Sequence, residues 1–249
     1  MNVKRFIPNI ISMTSLFLGF LSILNSFIDN YLLACYFILI AAILDSLDGA
    51  VARALGVSSE FGKELDSLVD LVSFCLAPSI LVYILYSQNM PGISGEVIAF
   101  APLLLGVIRL AQFNVSDGDG ISYFKGLPTT FNAIFICSLI IYVDSVRLTN
   151  PQYSDPRLLL PIIMASSFLM VTKVRYSKIS FSKPDGDKKK STKLSLSLIS
   201  IVSFLILVAF NKFELALIIY SSSFVILGLL SHLFIREKIH HKFVKKILK

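Results

Sequence analysis

The sequence predicts an all-α polytopic membrane helix bundle, a six-span core followed by two C-terminal spans, eight in total, with both termini cytoplasmic. Three observations carry this. The chain of 249 residues is 55% hydrophobic, with a mean hydropathy of +0.77, well above the apolar share of an ordinary soluble domain. Its apolar residues fall into runs close to the roughly 20 residues that a helix needs to cross a bilayer. Its basic residues gather at alternate run ends, as the positive-inside rule requires.

Taken in order, the runs are Ile7–Phe27, Tyr31–Leu55, Phe61–Tyr86, Ile93–Phe113, Thr129–Val146, Leu158–Val174, Leu194–Phe210 and Phe213–Ile235. The first is too long for the apolar region of a cleavable signal and lacks a small-residue cleavage site after it, so it is expected to remain as a span. With the amino terminus inside, Lys4, Arg5, Arg53, Lys63, Arg109, Lys125, the cluster Lys173–Lys193 and the tail Arg236–Lys249 all face the cytoplasm. Only Arg147, Arg157 and Lys212 then lie outside, and the even number of spans follows from this asymmetry.

The basic, polar linker 177–193 separates a core, 1–176, from a two-span appendage with a basic tail, 194–249. The formal charge of +7 sits at span ends, which points to anionic membrane lipid rather than nucleic acid as its partner. Cys35, Cys75 and Cys137 lie within apolar runs, odd in number and without metal spacing. They read as small buried hydrophobes.

The chain is organised around Asp45 to Asp70, DSLDGAVARALGVSSEFGKELDSLVD. Four carboxylates flanked by apolar runs are costly unless a cation partners them. Asp45 and Asp48 stand three apart, and Asp66 and Asp70 four apart, so each pair shares one helix face. A short turn near Gly56 to Glu60 would let the two faces meet. The result is a box of oxygens suited to Mg²⁺ or Mn²⁺ rather than zinc, since no His or Cys is near in sequence. Gly49, Ala52 and Gly62 give it a smooth floor, and Arg53 offers a fork for phosphate oxygens. The plainer reading is a solvated helix end.

Two further groups stand out. Asn9 and Thr14 place polar side chains at the cytoplasmic end of the first span, where Thr14 is equally read as a simple cap. After the fourth run come RLAQFN, with Arg109 and Asn114, and then KGLPTTFNA, with Lys125, Gly126, Thr129, Thr130 and Asn132. Donors at a helix start, with Gly126 for close approach, make a place for an anionic group such as a carboxylate. Arg109 inside an apolar run is either functional or the structural partner of an acidic residue.

The pattern Asp45-x2-Asp48-Gly49-x2-Ala52-Arg53-x8-Gly62-x3-Asp66-x3-Asp70 resembles, without a gap, the signature of the CDP-alcohol phosphotransferase family. With FGKELDSLVDLVSF, Ala77-Pro78, RLAQFN and KGLPTTFNA, the chain is similar to the integral-membrane phosphatidylserine synthases of that family, over about Ile7 to Val174. Gln112 departs from it, standing where many relatives carry Arg.

The resemblance implies that 1–176 is a catalytic core moving the phosphatidyl group of CDP-diacylglycerol, or its ether-lipid equivalent, to L-serine with release of CMP. It implies two divalent cations held by Asp45, Asp48, Asp66 and Asp70, with Asp70 also placed to take the serine hydroxyl proton. Asn9, Thr14, Asp48, Gly49, Ala52, Arg53, Ser59 and Gly62 would hold the CDP-lipid. Arg109, Asn114, Lys125, Thr129, Thr130 and Asn132 would surround the serine. It further implies a homodimer through spans three and four, while the placement of basic residues described above is what opens the site to the cytoplasm, in the cell membrane. Glycerol 3-phosphate or inositol phosphate as acceptor, and a cation transporter, are the alternatives. A transporter relay would spread its carboxylates through the membrane depth.

Overall fold

The computed structural model describes residues 6–57, 59–116, 123–177 and 212–247. Long helices dominate: α1 (Phe6–Phe27), α2 (Tyr31–Leu55), α3 (Glu60–Ser87), α4 (Ser94–Ser116), α5 (Thr129–Val146), α6 (Pro156–Leu169) and α7 (Phe213–Ile247). Six of them, all but α6, are long and apolar enough to cross a membrane.

Their surface is inverted relative to a soluble bundle. On α1, Ser12, Ser15, Gly19, Ser22 and Ser26 face inward while Phe17, Phe20 and Phe27 are exposed. Small inward residues let helices approach closely where lipid, as apolar as the side chains, offers no hydrophobic drive. The approach is tight: Ser15 Oγ donates to Ala41 O at 3.1 Å, and Ser73 Oγ donates to Ser15 O at 3.2 Å. A Cβ on Gly19 would collide with the backbone of Ser73. The apolar core lies deeper, around Ala34, Ile38, Phe74, Leu81, Ile136 and Ile163.

Three features differ from the sequence expectation. The sixth run, read as Leu158–Val174, forms only the 14-residue helix α6, about 21 Å long at 1.5 Å per residue. It stops at Leu169 because the chain then turns into a strand. That strand, β2 (Arg175–Ser177), pairs antiparallel with β1 (Tyr123–Lys125), so a small ribbon interrupts the all-α expectation. The eighth run extends beyond Ile235, since α7 reaches Ile247. The seventh run, Leu194–Phe210, and nearly all of the linker lie outside the described residues, so the total of eight spans and the placement of the termini remain expectations.

The third span is also less regular than its apolar pattern suggests. Leu71–Leu76 and Tyr83–Ser87 are π-helical, and the Ala77 N–H reaches back to Val72 O. Pro78 explains the first of these, because its ring has no N–H and crowds the preceding turn. The widened turn begins directly after Asp70.

Candidate active site

Two caps set the spacing between the carboxylate helices. At the end of α2, Gly56 takes a left-handed φ of 64°. Its N–H bonds Arg53 O at 3.3 Å and the Val57 N–H bonds Ala52 O at 3.0 Å, the paired closure of a Schellman motif. Three residues later Ser59 caps α3, its Oγ accepting from the Gly62 N–H at 3.0 Å. The hairpin therefore reverses within a few residues.

This reversal brings the acidic faces together. Carboxylate oxygens of Asp45, Asp48 and Asp66 lie within 4.8 Å of one another, and Asp45 also neighbours Asp70. Asp48 is only 5% exposed, and its Oδ2 accepts a 2.5 Å hydrogen bond from Ser12 Oγ on α1. The sequence reading passed over Ser12. Its signal was its spacing, one turn beyond Pro8 on the inward stripe of α1.

Asp70 lies deeper. Its Oδ2 accepts from Thr129 Oγ1 at 3.1 Å, whereas its Oδ1 is buried without a hydrogen-bond partner. Arg109, 7% exposed, lies within electrostatic reach of Asp70, and its Nε also lacks a hydrogen-bond partner. A Cβ on Gly106 would strike Cys75 Sγ and come within 3.8 Å of Thr129. Arg109, Asp70, Cys75 and Thr129 are thus neighbours in the interior. All three cysteines are free and buried.

The remaining site residues fall in several places. The Arg53 guanidinium folds back over Gly49, its Nη1 3.4 Å from where a Cβ would stand, and Ala52 is half-buried beside it. Asn9 lies near Gly62, its Oδ1 3.7 Å from a Cβ built there, and Ser59 is occupied in capping. Thr14 is exposed and donates to Ile10 O at 2.8 Å, within its own helix.

Asn114 stands apart from Arg109. It accepts from Ser67 Oγ at 3.1 Å, beside a groove of about 150 Å³ between α3 and α4, lined by Glu64, Leu68, Val107 and Ala111. Asn132 is fully buried and turned toward Ser167 on α6 at 3.5 Å, and Thr130 is half-buried. Lys125 occupies the end of β1. Gly126, expected to admit a ligand, instead packs against backbone: its φ is +77°, and a Cβ there would meet the carbonyls of Met170 and Thr172.

The site suits a divalent cation. Its donors are oxygens alone, three carboxylates already converge, and one buried carboxylate oxygen is unsatisfied. Leaving such a cluster unneutralised is expensive. The carboxylates are gathered in one place rather than strung through the bundle.

An apolar-surfaced helical bundle around convergent carboxylates defines a multi-pass membrane protein built on an acidic site able to hold divalent cations. Comparison with known proteins makes the assignment finer. The family model for CDP-alcohol phosphatidyltransferase matches residues 5–172. A CDP-diacylglycerol–serine O-phosphatidyltransferase of Helicobacter pylori (strain ATCC 700392 / 26695) is 31% identical over 233 residues, 93% of each chain. An archaetidylserine synthase of Methanothermobacter thermautotrophicus is 35% identical over 177 residues, 70% of each chain. The CDP-diacylglycerol–serine O-phosphatidyltransferase of Bacillus subtilis (strain 168) is 32% identical over 172 residues, 69% of this chain and 90% of its own. The chain belongs to the CDP-alcohol phosphatidyltransferase family, a family of enzymes.

Proposed function

We propose that this protein transfers the phosphatidyl group of a CDP-diacylglycerol-type liponucleotide to the hydroxyl of L-serine, releasing CMP. The observation that carries the reading is the convergence of Asp45, Asp48 and Asp66 beside Asp70, itself tied to Thr129 and faced by Arg109. The relatives described above are named for serine transfer, which supports the acceptor.

Asp45, Asp48, Asp66 and Asp70 would hold two Mg²⁺ or Mn²⁺ ions. Bound there, the cations supply charge neutralisation for the pyrophosphate and for the departing CMP. Arg53, lying over Gly49, gives phosphate oxygens a bidentate donor. Gly62, Asn9 and Ala52 line the approach to the same oxygens, with Ser59 fixing the turn and Thr14 at the margin. In the transfer, the serine oxygen bonds to the lipid-bearing phosphorus as the bond from that phosphorus to the CMP oxygen breaks. The hydroxyl proton passes to Asp70, whose Thr129 hydrogen bond fixes the direction of its carboxylate. Arg109 matches the serine carboxylate, with Thr130, Asn132, Lys125 and Asn114 as more distant surroundings.

The basic residues at the span ends support a site on the cytoplasmic face of the cell membrane, with anionic lipid around it. The family resemblance supports a homodimer. Purified protein with Mn²⁺ and CDP-diacylglycerol should release CMP with L-serine and form the serine lipid. CMP release with glycerol 3-phosphate or inositol phosphate, and none with serine, would overturn the acceptor.

Ser12 belongs to this reading through Asp48. A hydroxyl that orients a ligand carboxylate typically contributes ten- to hundredfold in metal affinity. Mn²⁺ titration followed by electron paramagnetic resonance is expected to show Ser12→Ala binding about tenfold or more weakly than the parent. Equal affinity would remove Ser12 from the site.

A further inference from the structure

We propose that α7, which lies beyond the stretch matched by the family model, is a working part of the active site. It braces the first turn of α5 and so positions Thr129, and through Thr129 the carboxylate of Asp70. The inference rests on the transferase reading above.

The start of α5 is poorly secured by its own sequence. Pro128 occupies the cap position, and no side-chain cap bonds the N–H groups of the largely buried first turn. Such an end keeps its place only if something packs on it. Backbone bonds from Gly126 to Val174 O and from Leu127 to Leu169 O hold the residues just before it, and α7 packs on the turn itself through Phe131. Leu127, fully buried, shares an apolar cluster with Phe135, Met170, Val174 and Val225 of α7. Phe131 stacks on Phe224, with ring centroids 3.8 Å apart and planes 10° from parallel.

Further along, Ser138 Oγ and Ser221 Oγ are hydrogen-bonded at 2.6 Å in a buried position, which fixes the register of the two helices. Ser221, Phe224 and Val225 occupy one face of α7 at i, i+3 and i+4. Between these anchors, Thr129 reaches Asp70 at 3.1 Å. Since a side-chain hydrogen bond fails near 3.6 Å, a displacement of about 0.5 Å breaks it. Small misplacements of reacting groups can cost up to about a hundredfold in rate.

The test compares full-length variants for CMP release from CDP-diacylglycerol and L-serine. Phe224→Ala should lower kcat by about tenfold and leave KM for both substrates within about twofold, whereas Phe224→Tyr, which keeps the ring, retains kcat. Ile226→Ala, on the exposed face of the same helix, should match the parent.

The decisive arm is the double variant. Thr129→Ala alone should lower kcat, and adding Phe224→Ala to it should change kcat by less than about twofold, because both act through one contact. Effects that multiply independently, or a Phe224→Ala kcat equal to that of Ile226→Ala, would overturn the proposal. If Phe224→Ala does not yield folded protein, Phe224→Leu takes its place under the same criteria. Parent protein that releases no CMP would defeat the transferase reading before any variant is compared, whereas a failed brace leaves parent turnover intact.

Discussion

Asp70→Asn is expected to lower CMP release by about 10²–10⁴-fold, the range that a positioned general base contributes. The amide matches the carboxylate in shape, and its oxygen can still accept from Thr129 Oγ1, so the fold is expected to persist. What is lost is the capacity to take a proton, one charged oxygen ligand for a cation, and the charge that faces Arg109. Size-exclusion chromatography and thermal unfolding would report an intact protein alongside the collapsed rate. A variant retaining activity within tenfold of the parent would show that the proton goes elsewhere and that Asp70 is a structural partner of Arg109.

Gly126→Ala should have the largest effect on stability, a loss of about 3 kcal/mol. Two costs combine. The left-handed φ of +77° penalises any L side chain by roughly 1–2 kcal/mol, and the added methyl meets the carbonyl groups of Met170 and Thr172, an overpacking cost of roughly 1–3 kcal/mol. The backbone cannot easily retreat, because the Gly126 N–H bonds Val174 O at 2.8 Å and the Leu127 N–H bonds Leu169 O at 3.0 Å. Gly56→Ala provides the contrast. Its φ is also positive, at +64°, but nothing lies within 4 Å of the new methyl, so only the conformational part applies. Thermal unfolding in detergent would rank the two, and equal losses would show that the Gly126 contact is slack.

The acidic hairpin was legible because its chemistry is local. Asp45, Asp48 and Asp66 sit at helical spacings on either side of a glycine turn, and two helices joined this closely can present only a few faces to each other. Six membrane-length helices were legible for a similar reason, since bilayer thickness leaves a mark on composition. What escaped depended on residues distant in sequence. Ser12 is an ordinary serine until α1 lies across α2, and the Thr129 bond to Asp70 spans 59 positions.

Gly126 shows how a correct inference can point to the wrong neighbour. A glycine admitting close approach was legible, but the approaching group is the backbone after α6 rather than a ligand. The short α6 and the β1–β2 ribbon were obscured together, since Met170 to Val174 is apolar enough to extend a span by hydropathy alone. Only the pairing of Arg175–Ser177 with Tyr123–Lys125 turns the chain away directly after it.

The order in which the parts emerge from the ribosome follows from the compact α2–α3 hairpin. All four acidic residues are synthesised within a single stretch, so a nascent chain can gather its ion-binding oxygens before α5 exists. Contacts of short sequence range form early and at low entropic cost. Thr129 is translated only afterwards, and the aromatic face of α7 later still. Under the transferase reading, a product that stops before α5 is expected to bind Mn²⁺ without releasing CMP, so that α5 and α7 turn a chelating hairpin into a catalyst.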